Sequence, residues 1–93
     1  MRLRERMDQH TARRALGMVG ETETEIGDTE VPGLSIRVRK AAATWCLRGR
    51  LGPKQSVWTI GPVGGSKGIS LTDARRRATE AKDRLRNGTD PGP

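Results

Sequence analysis

The sequence contains no phenylalanine and no tyrosine, two tryptophans, one cysteine and one histidine. With 93 residues and a hydrophobic fraction of 32%, it can hold one small domain with little material for a core. Trp45 and Trp58 must therefore supply most of the bulky volume, and losing either should cost about 3–5 kcal/mol. That is a large share of what holds a small domain together. The lone Cys46 forms no internal disulfide, and Cys46 with His10 falls short of the roughly four ligands of a zinc site. No metal and no cofactor is expected. No apolar run is long enough for a signal peptide or a membrane span, which places the chain in a reducing, cytoplasmic setting. Paired carboxylates and Ser/His/Asp sets are also missing, so catalysis within these residues is not expected.

Acidic residues are few and unevenly placed. The chain carries 18 Lys and Arg against 11 Asp and Glu, a net charge of +7 and a pI near 11.0. Residues 1–32 hold five basic and seven acidic side chains, whereas residues 33–88 hold thirteen basic and three acidic ones. A polyanionic partner follows, nucleic acid before an acidic membrane surface.

Residues 33–61 read as a three-strand antiparallel ladder with one apolar and one arginine-bearing face. In 34–39 the period of two is strict: Leu34, Ile36 and Val38 point one way, Ser35, Arg37 and Arg39 the other. In 44–50, Trp45 and Leu47 oppose Thr44, Cys46, Arg48 and Arg50; in 56–60, Trp58 and Ile60 oppose Val57 and Thr59. Cys46 is expected on the exposed face as a small spacer. Residues 40–43 and 51–54 have the length and the Gly and Pro of hairpin turns.

Around this ladder, residues 1–20 read as a flexible or partly helical segment. Residues 21–32 form an acidic lead-in whose Thr/Glu alternation suits a short exposed edge strand, able to pair with the basic helix or guard the sheet edge. The glycine-rich 61–68 is a flexible connection that leaves Lys67 accessible to phosphates. Ser70 is a helix N-cap with Asp73 at the reciprocal position; Ala74, Ala78, Ala81 and Leu85 then define one helix face. Gly88 is placed as the left-handed cap, and 89–93 has linker composition. The predicted fold is α+β, a three-stranded antiparallel sheet packed on one C-terminal helix (β-β-β-α), with a domain over 33–88.

The runs D-T-E-V-P-G-L-S-I-R-V (28–38), T-W-C-L-R (44–48), W-T-I-G-P (58–62), S-L-T-D-A-R (70–75) and N-G-T-D-P (87–91), in this order and spacing, resemble the N-terminal arm-binding domain of phage and genomic-island integrases of the tyrosine recombinase family. The resemblance covers about two-thirds of the chain. It implies a sheet whose exposed face enters the major groove of arm-type DNA sites, and a role as the N-terminal part of a site-specific recombinase of a phage or mobile element. Its partners would be double-stranded DNA and downstream core-binding and catalytic domains of the same protein, in the cytoplasm of a bacterial host at the nucleoid. No membrane partner is implied, and the isolated domain is expected to be monomeric. The family's chemistry uses a nucleophilic tyrosine, which this sequence lacks, so this segment would not be the enzyme. Similar domains often carry an aromatic residue late in the second strand; Gly49 stands there and predicts a thinner core.

The candidate DNA contacts are Arg37, Arg39, Arg48 and Arg50 on the sheet face, with Thr44, Gln55 and Thr59 as polar contacts and Lys67 and Arg75 at phosphates. Arginine can pair bidentately with guanine or clamp phosphate, and a β-ribbon fits the major groove. The alternative is a duplex-RNA-binding or ribosome-associated module. Stacking on single strands is disfavoured, because the arginine face carries no aromatic ring.

Overall fold

The computed structural model describes residues 2–91. The ladder is present with both turns: β3 (Leu34–Val38), β4 (Ala43–Leu51) and β5 (Lys54–Pro62) form an antiparallel meander. The sheet is larger than three strands, however. β1 (Arg2–Glu5) and β2 (Thr24–Asp28) extend it to five in the order β1-β2-β3-β4-β5. The acidic segment is therefore not an edge strand. β2 lies inside the sheet, antiparallel to β3 with Ile26 opposite Ile36, and β1 takes the edge, parallel to β2 with Leu3 opposite Ile26. Parallel neighbours need a crossover, and helix α1 (Thr11–Met18) provides it.

Both helices pack on one face of the sheet. That face presents Ile26, Leu34, Ile36, Val38, Ala43, Trp45 and Leu47, all buried, to Ala15 of α1 and to Ala74 and Ala78 of α2 (Leu71–Arg86). Small alanines let the helix axes approach closely, as the spacing predicts. Ser70 caps α2 by accepting from Asp73 N at 3.2 Å, and Gly88 follows the helix with φ 78°. Trp45 is fully buried and its Nε1 donates to Ile69 O at 2.8 Å, so no polar atom of the ring is stranded. Trp58 and Ile60 face the same side but are only half-buried, because β5 is an edge; Trp58 Nε1 donates to Asp90 Oδ1 at 2.9 Å. Between β4 and β5 the register shifts at Trp45/Cys46, so Trp45 faces Gly61 while Cys46 faces Thr59.

One buried ion pair fixes the N-terminal third against α2. Asp28, 1% exposed, accepts from Arg75 Nε at 2.9 Å and Nη2 at 3.3 Å, and also from the backbone amides of Met7 and Glu30, each at 3.2 Å. Arg75 Nη2 donates onward to Met7 O at 2.7 Å, and its Nη1 lies 3.0 Å from Glu30. The buried carboxylate thus has four donors, as burial of a charge requires. Burial pushes the Asp28 pKa up, but the Arg75 hydrogen bonds and then the amides of Met7 and Glu30 outweigh it and hold it below the ordinary 3.8.

Candidate nucleic-acid interface

The face opposite the helices carries the arginines. Strand alternation and register put Arg2 and Arg4 of β1, Glu25 of β2, Arg37 of β3 and Thr44, Cys46, Arg48 and Arg50 of β4 on it, with Gln55, Val57 and Thr59 of β5. Arg39 continues the Arg37 side just past the end of β3 and is exposed, as are Arg50, Gln55 and Thr59. Gln55 pairs in register with Arg50, Thr59 with Cys46 and the half-buried Thr44 with Arg37. Seven of the nine expected contact residues therefore share one surface.

The other two lie elsewhere. Arg75 is on α2, where its guanidinium is committed to Asp28 and Met7. Lys67 is exposed in the loop after β5, which passes beside Leu16 of α1 at Gly64, on the helix-bearing side. Neither is gathered with the sheet arginines.

Within the shared surface the arginines divide into two kinds. Arg39 and Arg50 form no ion pair with any other described residue. Arg37 and Arg48 instead converge on Glu25: Arg48 Nη2 donates to both Glu25 oxygens at 3.0 Å, and Arg37 Nε lies 3.6 Å from Oε2. Arg2 Nη2 adds a third contact at 3.2 Å. Burial pushes the Glu25 pKa up, and the hydrogen bond and charge of Arg48, then the charges of Arg2 and Arg37, bring it below the ordinary 4.5. The carboxylate is ionised at neutral pH. Beside it a concavity of about 330 Å³ is lined by Arg2, Arg4, Ser35 and Arg48.

Glu25, Arg2 and Arg4 are absent from the sequence-derived set. A signal was present for Glu25: in 24–28 the same alternation that turns Ile26 inward turns Glu25 outward. Arg2 and Arg4 gave none, because four residues with a single leucine do not announce a strand. Cys46 lies on the predicted face but is not exposed; it is 3% accessible, as Ser35 opposite it is 5%. Burial raises the thiol pKa, which keeps Cys46 protonated and unreactive.

A strongly basic sheet face, backed by helices on the other side and free of aromatic rings, suits a duplex better than a single strand. Residues 4–93 match the Arm DNA-binding domain family, and the chain belongs to that family. No curated protein sequence matches the chain.

Proposed function

We propose that the domain binds duplex DNA at arm-type sites through the outward face of its sheet, as the N-terminal module of a tyrosine recombinase that integrates or excises phage or mobile-element DNA. The observation that carries this reading is the convergence of Arg37, Arg39, Arg48 and Arg50 on one face opposite both helices in a member of the arm DNA-binding family. Arg39 and Arg50, exposed and unpaired among the described residues, make the phosphate contacts; Arg37 and Arg48, held lower on the face, reach base edges. Thr44, Gln55 and Thr59 add polar contacts across the same surface. Catalysis belongs to other domains of the recombinase, since the nucleophilic tyrosine has no counterpart here. In this reading the isolated domain works as a monomer, in the cytoplasm of a bacterial host, and tethers the enzyme to DNA flanking the crossover site.

The test is fluorescence-anisotropy titration of labelled duplex DNA over a salt series. Binding should weaken steeply with salt, and Arg39→Ala or Arg50→Ala should each reduce the log–log slope by about 0.9, the share of one neutralised phosphate. Salt-independent binding, or equal binding to duplex RNA of the same sequence, would overturn the proposal.

A further inference from the structure

Glu25 is out of place on a surface that serves only to attract phosphate. It sits in an interior strand, under three guanidiniums, where its charge cancels part of the field that the arginines create. A threonine or glutamine there would bind polyanions better. What the carboxylate does supply is order. Arginine is a long, rotamer-rich side chain, and fixing it before DNA arrives removes an ordering cost from the binding step.

The geometry shows which part of each arginine is fixed. Glu25 engages Arg48 through Nη2 alone, with both oxygens on that nitrogen, so Nη1 makes no hydrogen bond to any described residue. The Nε atoms of Arg37 and Arg48 are buried and without a hydrogen bond, with Arg37 Nε held only by the 3.6 Å charge contact. Arg48 is therefore clamped by one terminal nitrogen and Arg37 is held by charge at its inner one, each with donors left over. A carboxylate in the same cluster also repels phosphate and is an acceptor matched to the cytosine amino group in the major groove, while arginine is matched to guanine.

We propose that Glu25 is a specificity-determining positioning residue: it holds Arg37 and Arg48 for base edges and withholds them from the DNA backbone. The proposal rests on the reading of this face as DNA-binding. Removing the carboxylate should therefore make binding stronger and less selective at once; the gain in affinity follows from the lost charge alone, and the loss of selectivity is the mark of positioning.

The experiment uses two readouts on the whole chain: enrichment of sequences from a randomised duplex DNA pool, and the salt dependence of binding to a mixed-sequence duplex. The wild type should enrich a motif. Glu25→Gln should flatten that motif while steepening the salt dependence by about 0.9 per arginine released, an additional fall in affinity of about 3.5-fold per arginine between 50 mM and 200 mM salt. Glu25→Asp should restore part of the motif. Arg48→Lys, which keeps the charge but loses the planar fork, should flatten the motif with the salt slope unchanged. Circular dichroism of each variant separates these effects from unfolding, and Arg48→Lys carries the test should Glu25→Gln fail to fold. If Glu25→Gln enriches the wild-type motif with the wild-type salt slope, the inference is overturned. If the wild type binds with strong salt dependence but enriches nothing, the DNA-binding reading stands and the role of Glu25 falls; if the wild type does not bind duplex DNA, both fall.

Discussion

Asp28 and Arg75 form a two-point ion pair across the core boundary, with Nε to Oδ2 at 2.9 Å and Nη2 to Oδ1 at 3.3 Å, and the aspartate side chain is fully buried. Removing one partner of such a pair strands the other. Arg75→Ala should cost about 3–5 kcal/mol by urea or thermal unfolding, because Asp28 is left charged and enclosed. The double variant Asp28→Asn with Arg75→Ala should lose clearly less than the sum of the single changes, since the two residues act as one unit.

The same pair sets an acid limit on the fold. The folded-state pKa of Asp28 is depressed below its ordinary 3.8, so its contribution is complete above the unfolded value and is lost as pH falls through the lower folded one. Glu25, also depressed, acts with the same sign. Stability should therefore decline as pH falls through and below the ordinary carboxylate range, and Asp28→Asn should flatten that decline in urea titrations at stepped pH.

The two tryptophans should report separately. Trp45 is fully buried and Trp58 half-exposed at the edge strand, so acrylamide should quench the emission of Trp45→Phe, which retains Trp58, far more than that of Trp58→Phe. Trp45→Ala should cost about 3–5 kcal/mol and Trp58→Ala clearly less.

At Gly49 an added Cβ would lie 2.8 Å from Leu85 Cδ1 and 3.5 Å from the Trp58 ring. Leu85 of α2 thus occupies the space that an aromatic residue at position 49 would take, and the core is filled from the helix. Gly49→Phe should overpack the site and cost about 1–3 kcal/mol. Adding Leu85→Ala should recover part of that loss, measured as the shift in unfolding midpoint.

The strands β3, β4 and β5 and the helix α2 were legible because each repeats a strict period: two in Leu34, Ile36 and Val38, and three to four in Ala74, Ala78, Ala81 and Leu85. Strand β1 was not, since Arg2–Glu5 is polar and becomes a strand through its pairing with β2. The burial of Asp28 was not legible in the acidic lead-in, because two of its donors, Met7 and Arg75, are distant in sequence. Period two placed Cys46 on the correct face but could not reveal its burial, which depends on what neighbouring long side chains cover. For the interface, the arginines were visible one by one. The partition into paired Arg37 and Arg48 and unpaired Arg39 and Arg50 was not, because Glu25 comes from another strand.

The Arg75 network also bears on how such a gene can be shuffled. A crossover between diverged relatives that falls between codons 28 and 75 takes the acceptor from one parent and the donor from the other. Chimeras in which both parents carry this Asp and Arg survive the exchange; those mixing different solutions inherit an enclosed charge with no counterpart. Although most of the alternating pattern lies after residue 33, that part keeps its ion pair only when joined to a first segment that supplies the matching aspartate.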